Sequence, residues 1–235
     1  MRETPLPGGR VTEGVALVGD TVRRPTKANA AFVRDLLAEL ESRGFDGAPR
    51  YLGRDERGRE LFSFQPGDVP EELDASFSDE TLACAARLIR AYHDATAGST
   101  LAGHEEVVCH NDLSPCNAIF RDGRPAGLID FDGAAPGSRL QDVGYAVFLW
   151  LNLGTDGPPA PEQARRIELF CRAYRIEPSE TVVDAVITAV ATNAARIRAA
   201  GRPADADWWD AQLTWLRRHH RDLLVSRGNQ GLPQP

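Results

Sequence analysis

The chain has 235 residues and a formal net charge of -7, with 42% hydrophobic and 26% charged residues, the balance of an ordinary soluble globular protein. The acidic excess argues against a nucleic-acid partner, which would call for a basic surface, and suits a cationic ligand. No run approaches the roughly 20 consecutive apolar residues of a bilayer span, and the first residues lack a signal-peptide apolar core, so no membrane association and a cytoplasmic location are expected.

In chain order, a glycine-bearing loop runs from Gly8 to Gly14. It leads into a strand over residues 15–18, the turn Gly19-Asp20, and a strand over residues 21–24 that Pro25 stops. Thr26 is a candidate cap for a helix over residues 26–43, with Phe32, Val33, Leu36, Leu37 and Leu40 as its apolar stripe and Gly44 as its stop. Two more strands follow over residues 49–53 and 60–64, joined by the turn Asp55-Glu56-Arg57-Gly58. Gln65-Pro66-Gly67-Asp68-Val69-Pro70 then breaks the pattern. The expected division is therefore a small strand-rich lobe over residues 1–65, a linker over 66–77, a larger helical lobe over 78–227 and a loose tail over 228–235.

The second lobe is expected to open on a helix capped by Ser78 that runs to about His93, a residue read as packed or capping. Further helices are predicted from Arg139 to near Asn152 and over residues 161–174, 179–200 and 206–226. In the last of these, Trp209, Leu213 and Leu216 form a core stripe. Asp205, Asp207 and Asp210 around Trp208 are either a solvated helix start or an attractor for a cationic substrate. His219-His220 has no matching ligands near it in sequence and reads as surface. Cys84, Cys109, Cys116 and Cys171 lack the paired spacing of a zinc site and read as reduced thiols.

Between the first and second of these helices lies the stretch on which function turns. Val107-Val108-Cys109 is an apolar strand that runs into His110-Asn111-Asp112-Leu113-Ser114-Pro115-Cys116-Asn117. Two strand-like runs, residues 118–121 and 126–129, flank the turn signal Asp122-Gly123-Arg124-Pro125, and the second run ends on Asp130-Phe131-Asp132. A hairpin centred between Gly123 and Arg124 would set Asn117 opposite Asp130, with Cβ atoms about 5 Å apart. An amide oxygen and a carboxylate meeting there make the hard, oxygen-rich site that Mg²⁺ prefers.

These spacings match the protein-kinase pattern H-x-D-L-x-x-x-N followed by a metal-holding Asp. The chain resembles the aminoglycoside phosphotransferase and choline-kinase branch of the kinase-like superfamily, with Asn111 where that loop usually has Gly. The resemblance implies an α+β, protein-kinase-like bilobal fold and Mg²⁺-dependent transfer of a phosphate from ATP or GTP to a small hydroxylated, cationic molecule such as an aminoglycoside. It implies Asp112 as the group that accepts or orients the acceptor hydroxyl, His110 as the residue that orders the loop, and Asn117 and Asp130 as the metal holders. It would lay the loop around Thr12 over the phosphates and bring backbone groups near Phe64 and Gln65 to the base.

A cation on the third strand should hold the phosphates. The only lysine, Lys27, lies beyond Pro25, so Arg23 is the expected substitute, with Arg24 on the opposite face. The helix carboxylate that normally pairs with this cation has no clear equivalent, because Asp35 and Glu39 come late and off the stripe. Asp142 is expected to brace the catalytic loop. A non-catalytic kinase-fold protein that sequesters a toxin or small ligand, as in some bacterial immunity proteins, is the rival reading.

Overall fold

A computed structural model of the chain describes residues 3–6, 14–73 and 76–224. The Thr12 loop and the 228–235 tail lie outside the described residues. The first lobe is built on the strands β1 (Thr4–Pro5), β2 (Ala16–Val18) and β3 (Thr21–Arg24), then the helix α1 (Ala30–Ser42), then β4 (Tyr51–Arg54) and β5 (Glu60–Ser63). The five strands form one antiparallel sheet in the order β1-β2-β3-β5-β4. Helix α1 turns Val33, Leu36, Leu37 and Leu40 inward, as its stripe predicts. It starts at Ala30 rather than Thr26, because the Thr26 hydroxyl donates to the Gly58 carbonyl (3.3 Å) and Asn29 takes the cap position.

The second lobe begins with α2 (Asp79–Thr96), where the Ser78 hydroxyl accepts the Thr81 amide at 3.2 Å as a cap should. After it come β6 (Val107–Cys109), the hairpin β7 (Ala118–Arg121) and β8 (Arg124–Leu128), and β9 (Ala135–Gly137). Four helices complete the lobe: α3 (Arg139–Trp150), α4 (Ala160–Tyr174), α5 (Glu180–Ala199) and α6 (Pro203–Arg218). Helix α6 starts and ends earlier than its pattern suggests. Pro203 suits a first helical turn, where its missing N–H costs nothing. At the other end His219 leaves the helix and stacks on Trp215, with ring centres 4.2 Å apart. Pairing of β6 with β9 has no separate signature in the sequence, since the three-residue β9 contains a proline and a glycine.

One continuous core fills the space between α1, α2, α3 and the hairpin, with Leu36, Leu40, Leu82, Ile89, Tyr92, Val108, Leu113, Phe131, Val147 and Trp150 all buried. The segment expected as a linker is pinned to the hairpin by reciprocal backbone bonds between Asp68 and Phe120, at 2.9 and 2.7 Å. The loop after α1 is held as well, through the Leu128 amide and the Gly47 carbonyl (2.7 Å). These bonds tie the hairpin of the second lobe to the linker and to the first lobe.

Gly144 lets α3, which carries two residues of the site, press on α5. A Cβ there would lie 2.4 Å from the Ala185 carbonyl oxygen. Ala normally improves on Gly in a helix by about 1 kcal/mol. At this position Gly144→Ala is expected to reverse the sign and cost about 1–3 kcal/mol, measured by urea denaturation.

Candidate active site

The site is built around a buried carboxylate. Asp142, in the first turn of α3, is 1% exposed. Its two oxygens accept the backbone amides of His110 (2.6 Å) and Asn111 (2.7 Å), and the His93 ring at 3.0 Å. The other ring nitrogen of His93 meets the Tyr174 hydroxyl at 2.6 Å, so this histidine is a packed structural group, as the sequence suggests. Asp142 thus fixes the loop that carries His110 and Asp112.

Asn111 explains the departure from glycine. Its φ of 63° is left-handed, a conformation that Asn tolerates better than most side chains. The side chain also ties neighbouring elements together: its amide donates to the Gly133 carbonyl (2.9 Å) and its oxygen accepts from Gln141 (2.6 Å). A Cβ at Gly133 would lie 3.3 Å from the His110 carbonyl oxygen, so this close approach favours glycine. His110 is buried, with its ring 4.7 Å from that of Phe131 and its Nε2 3.0 Å from the Ile129 carbonyl. Nε2 must therefore carry the proton, and the histidine ties its loop to the segment that runs from β8 into Asp130.

Asp112 faces the opening with one oxygen engaged. The Tyr145 hydroxyl donates to it at 3.0 Å, and burial beside that carboxylate raises the Tyr145 phenol far above its usual range, so the donor stays protonated. No local signal marks Tyr145, which in the sequence is one more aromatic residue of α3. The Asn117 amide nitrogen donates to the Asp112 backbone carbonyl (3.0 Å), which turns the amide oxygen into the group that can face a cation.

The hairpin register differs by one position from the sequence reading. The turn is the two-residue pair Asp122-Gly123, with φ values of 52° and 73°. Arg121 faces Arg124, and an irregularity at Ala126 then shifts the ladder so that Ala118 faces Leu128. Asn117 consequently accepts the Ile129 amide through its carbonyl (2.9 Å), and Asp130 comes next along the chain rather than directly opposite. Asp130 is itself left-handed, at φ 64° and ψ 61°, and precedes the single helical turn Phe131–Gly133. Although the Asp130 side chain is 44% exposed, partial desolvation of its carboxyl and the neighbouring Asp132 carboxylate raise it above its ordinary value, against the pull of Arg24 and His110.

Arg23 does not reach this place. It lies on the far face of β3, 3.5 Å from Asp55, and Arg24 takes the inner position. The Arg24 guanidinium donates to Asp132 at 2.6 Å, stands 3.8 Å from Asp130 and stacks over Phe62, 4.8 Å from the ring centre. Strand alternation puts the two arginines on opposite faces, and only the tertiary fold shows that Arg24 is the one turned to the second lobe. Neither helix acid compensates: Asp35 is exposed, and Glu39 accepts from Ser99 (2.5 Å) and Arg43 (2.9 Å). Phe64, at the end of β5, donates its amide to the Asp20 carbonyl (2.9 Å), so this donor is already engaged.

Away from this opening, Trp208 is 42% exposed and donates to Asp156 (2.9 Å), while Asp205 and Asp210 are held by Arg202 and Arg198. His220 is not without acidic neighbours, since Asp184 lies 2.9 Å away and Glu180 adjoins them. Both acids come from α5 and are therefore invisible to local sequence spacing.

A strand-rich small lobe and a helical large lobe that carries Asp112, Asn117 and Asp130 near one another have the architecture of a kinase-like phosphotransferase. The chain belongs to the phosphotransferase enzyme family, whose model matches residues 23–178. It is 30% identical to the trifolitoxin immunity protein of Rhizobium leguminosarum bv. trifolii, over 92% of this chain and 95% of that one. Among solved structures, a GDP complex of aminoglycoside 2'-phosphotransferase-IIIa superposes with a TM-score of 0.61 at 16% identity, covering 94% and 93% of the two chains. A microcompartment-associated aminopropanol kinase gives 0.59 at 14% identity, covering 89% and 90%. The macrolide 2'-phosphotransferase of Brachybacterium faecium gives 0.57 at 15%, covering 85% and 86%.

Removing the Asp142 carboxylate would leave two backbone amides and a histidine ring without their acceptor in the interior. Asp142→Ala is expected to cost about 3–5 kcal/mol in a urea or thermal denaturation series.

Proposed function

We propose that the protein transfers the γ-phosphate of ATP or GTP, with Mg²⁺, to a hydroxyl of a small molecule, an aminoglycoside or another amino-bearing alcohol. What supports this reading is the proximity of Asp112, Asn117 and Asp130 around a loop whose backbone amides are held by Asp142. Asn117 and Asp130 supply hard oxygen donors of the kind that suits Mg²⁺. They would hold the metal, which neutralises charge on the transferring phosphate.

Asp112 keeps one oxygen on Tyr145 and offers the other to the acceptor hydroxyl, aligning its lone pair and receiving its proton. Arg24 stands where it can hold the phosphates, with a charge that does not titrate. His110 takes no proton in this scheme; its bond to Ile129 keeps Asp112 and Asp130 at a fixed separation. The acidic balance of the chain supports a cationic acceptor.

A second reading is favoured by the likeness to a trifolitoxin immunity protein over nearly the full length of both chains. In it the protein protects by binding a toxin or small ligand without turnover. The two readings part at Asp112. Under catalysis Asp112→Asn should lower phosphoryl transfer about 100-fold or more and leave nucleotide affinity within about twofold, because general-base assistance contributes about 10²–10⁴ to a rate. Protection that survives this substitution and needs stoichiometric protein would establish sequestration instead.

Calorimetry with ATP and GTP, with and without Mg²⁺, tests the nucleotide site. Binding should depend on Mg²⁺ in the wild type and lose that dependence in Asp130→Ala. The Mg²⁺-dependent gain should also fade on acidification sooner than ordinary aspartates would dictate. The Asp130 carboxyl is raised above the ordinary aspartate range, so its charged form is lost at a higher pH than that of an unperturbed aspartate, and a protonated carboxyl is a poor metal ligand. An affinity gain independent of pH between 4 and 7 would remove Asp130 from the metal-holding role.

A further inference from the structure

Glu60 opens β5 and is 1% exposed, yet neither of its carboxylate oxygens has a hydrogen-bond partner among the described residues. Such a group costs free energy unless some state of the protein satisfies it. Its neighbours are set by the ladder. Glu60 is register-paired with Arg24 on β3, and with Arg54 on its other side. Directly paired residues project from the same face with Cβ atoms about 5 Å apart. Arg54 is exposed and forms no ion pair with it. The Arg24 side chain is 12% exposed, and its buried Nε is also without a partner among the described residues. Its terminal nitrogens are instead drawn across to Asp132 and towards Asp130. A donor and an acceptor, both buried and both unsatisfied, thus stand on paired residues.

We propose that Glu60 takes the place of the missing helix carboxylate. It is a positioning residue that receives Arg24 when a metal-bound nucleotide occupies the site. This rests on the phosphotransferase reading above. In the nucleotide-free protein Arg24 serves as counter-ion to Asp132 and Asp130. A divalent cation at Asp130 repels the guanidinium, and the cross-strand carboxylate is the acceptor within its reach. Arg24 then keeps its stacking on Phe62, pairs with Glu60 and presents its remaining N–H groups to phosphate. Exchange between two carboxylates replaces the fixed Lys–Glu pair of other kinases.

The test is Glu60→Gln, an isosteric change, alone and combined with Arg24→Gln. Apo thermal stability and Mg²⁺·nucleotide affinity are both read, using the non-hydrolysable ATP and GTP analogues. The two readouts should move in opposite directions. The melting temperature of the apo protein should hold or rise, because an unpaired buried charge is gone. Affinity should fall about 10-fold, and that fall should vanish in the Arg24→Gln background, as it must if Glu60 acts through Arg24. A parallel fall in both would mark Glu60 as merely structural, and unchanged affinity would mean that a buried water satisfies it; either overturns the proposal. A wild type that binds no nucleotide would overturn the functional reading itself, whereas wild-type binding with an indifferent Glu60→Gln overturns only this inference.

Discussion

The bonds from Asp142 to two successive backbone amides are the constraint on which the rest of the site depends. A loop has no ladder of its own, and a chain that must turn left-handed at Asn111 would not hold one shape without an external acceptor. The carboxylate supplies it from the first turn of α3, where the positive end of the helix favours an acid. His93 and Tyr174 then fix the carboxylate from behind. From this buried chain outward each functional group inherits its position: His110 and Asp112 from the loop, Tyr145 from the same helix three residues on, and Asp130 through the His110 contact with Ile129.

The two lobes contribute unlike chemistry. The helical lobe provides the oxygens, on half-buried to exposed side chains held by a buried scaffold, whereas the sheet provides positive charge on a half-buried strand side chain. Arginine suits that work: its guanidinium stays charged and forks between two carboxylates, and its flat face rests on Phe62. Asn29 adds a neutral tie, donating to the carbonyls of Asp132 and Ala134 at 3.3 and 3.1 Å. The junction between the lobes is therefore charged where the site lies and hydrogen-bonded beside it.

Legibility in the sequence followed the range of the forces. The bilobal α+β architecture, the helices and the core stripe of α1 are set by local periodicity and caps, and they read well. The loop around Asp112 and its nearness to Asn117 and Asp130 could be read because the spacing is short and the connecting hairpin has a clear turn signal. What escaped was fixed at long range. The inner arginine depended on which face of β3 meets the second lobe. The hairpin register turned on one irregular residue, Ala126, that no turn signal marks. Tyr145 belongs to the site only because α3 folds back over the loop, and Asp184 finds His220 across 36 positions. Thr26 lost its cap to a carbonyl 32 residues away.

The pinning of the hairpin from two sides has a mechanical consequence. With Phe120 bonded to Asp68 and Leu128 bonded to Gly47, the hairpin is a shared axle rather than a free flap. A turn of the small lobe about that hairpin would move Asn117 and Asp130, which adjoin its strands, less than Arg24 on β3, so the distance that varies is the one between a single guanidinium and two oxygens.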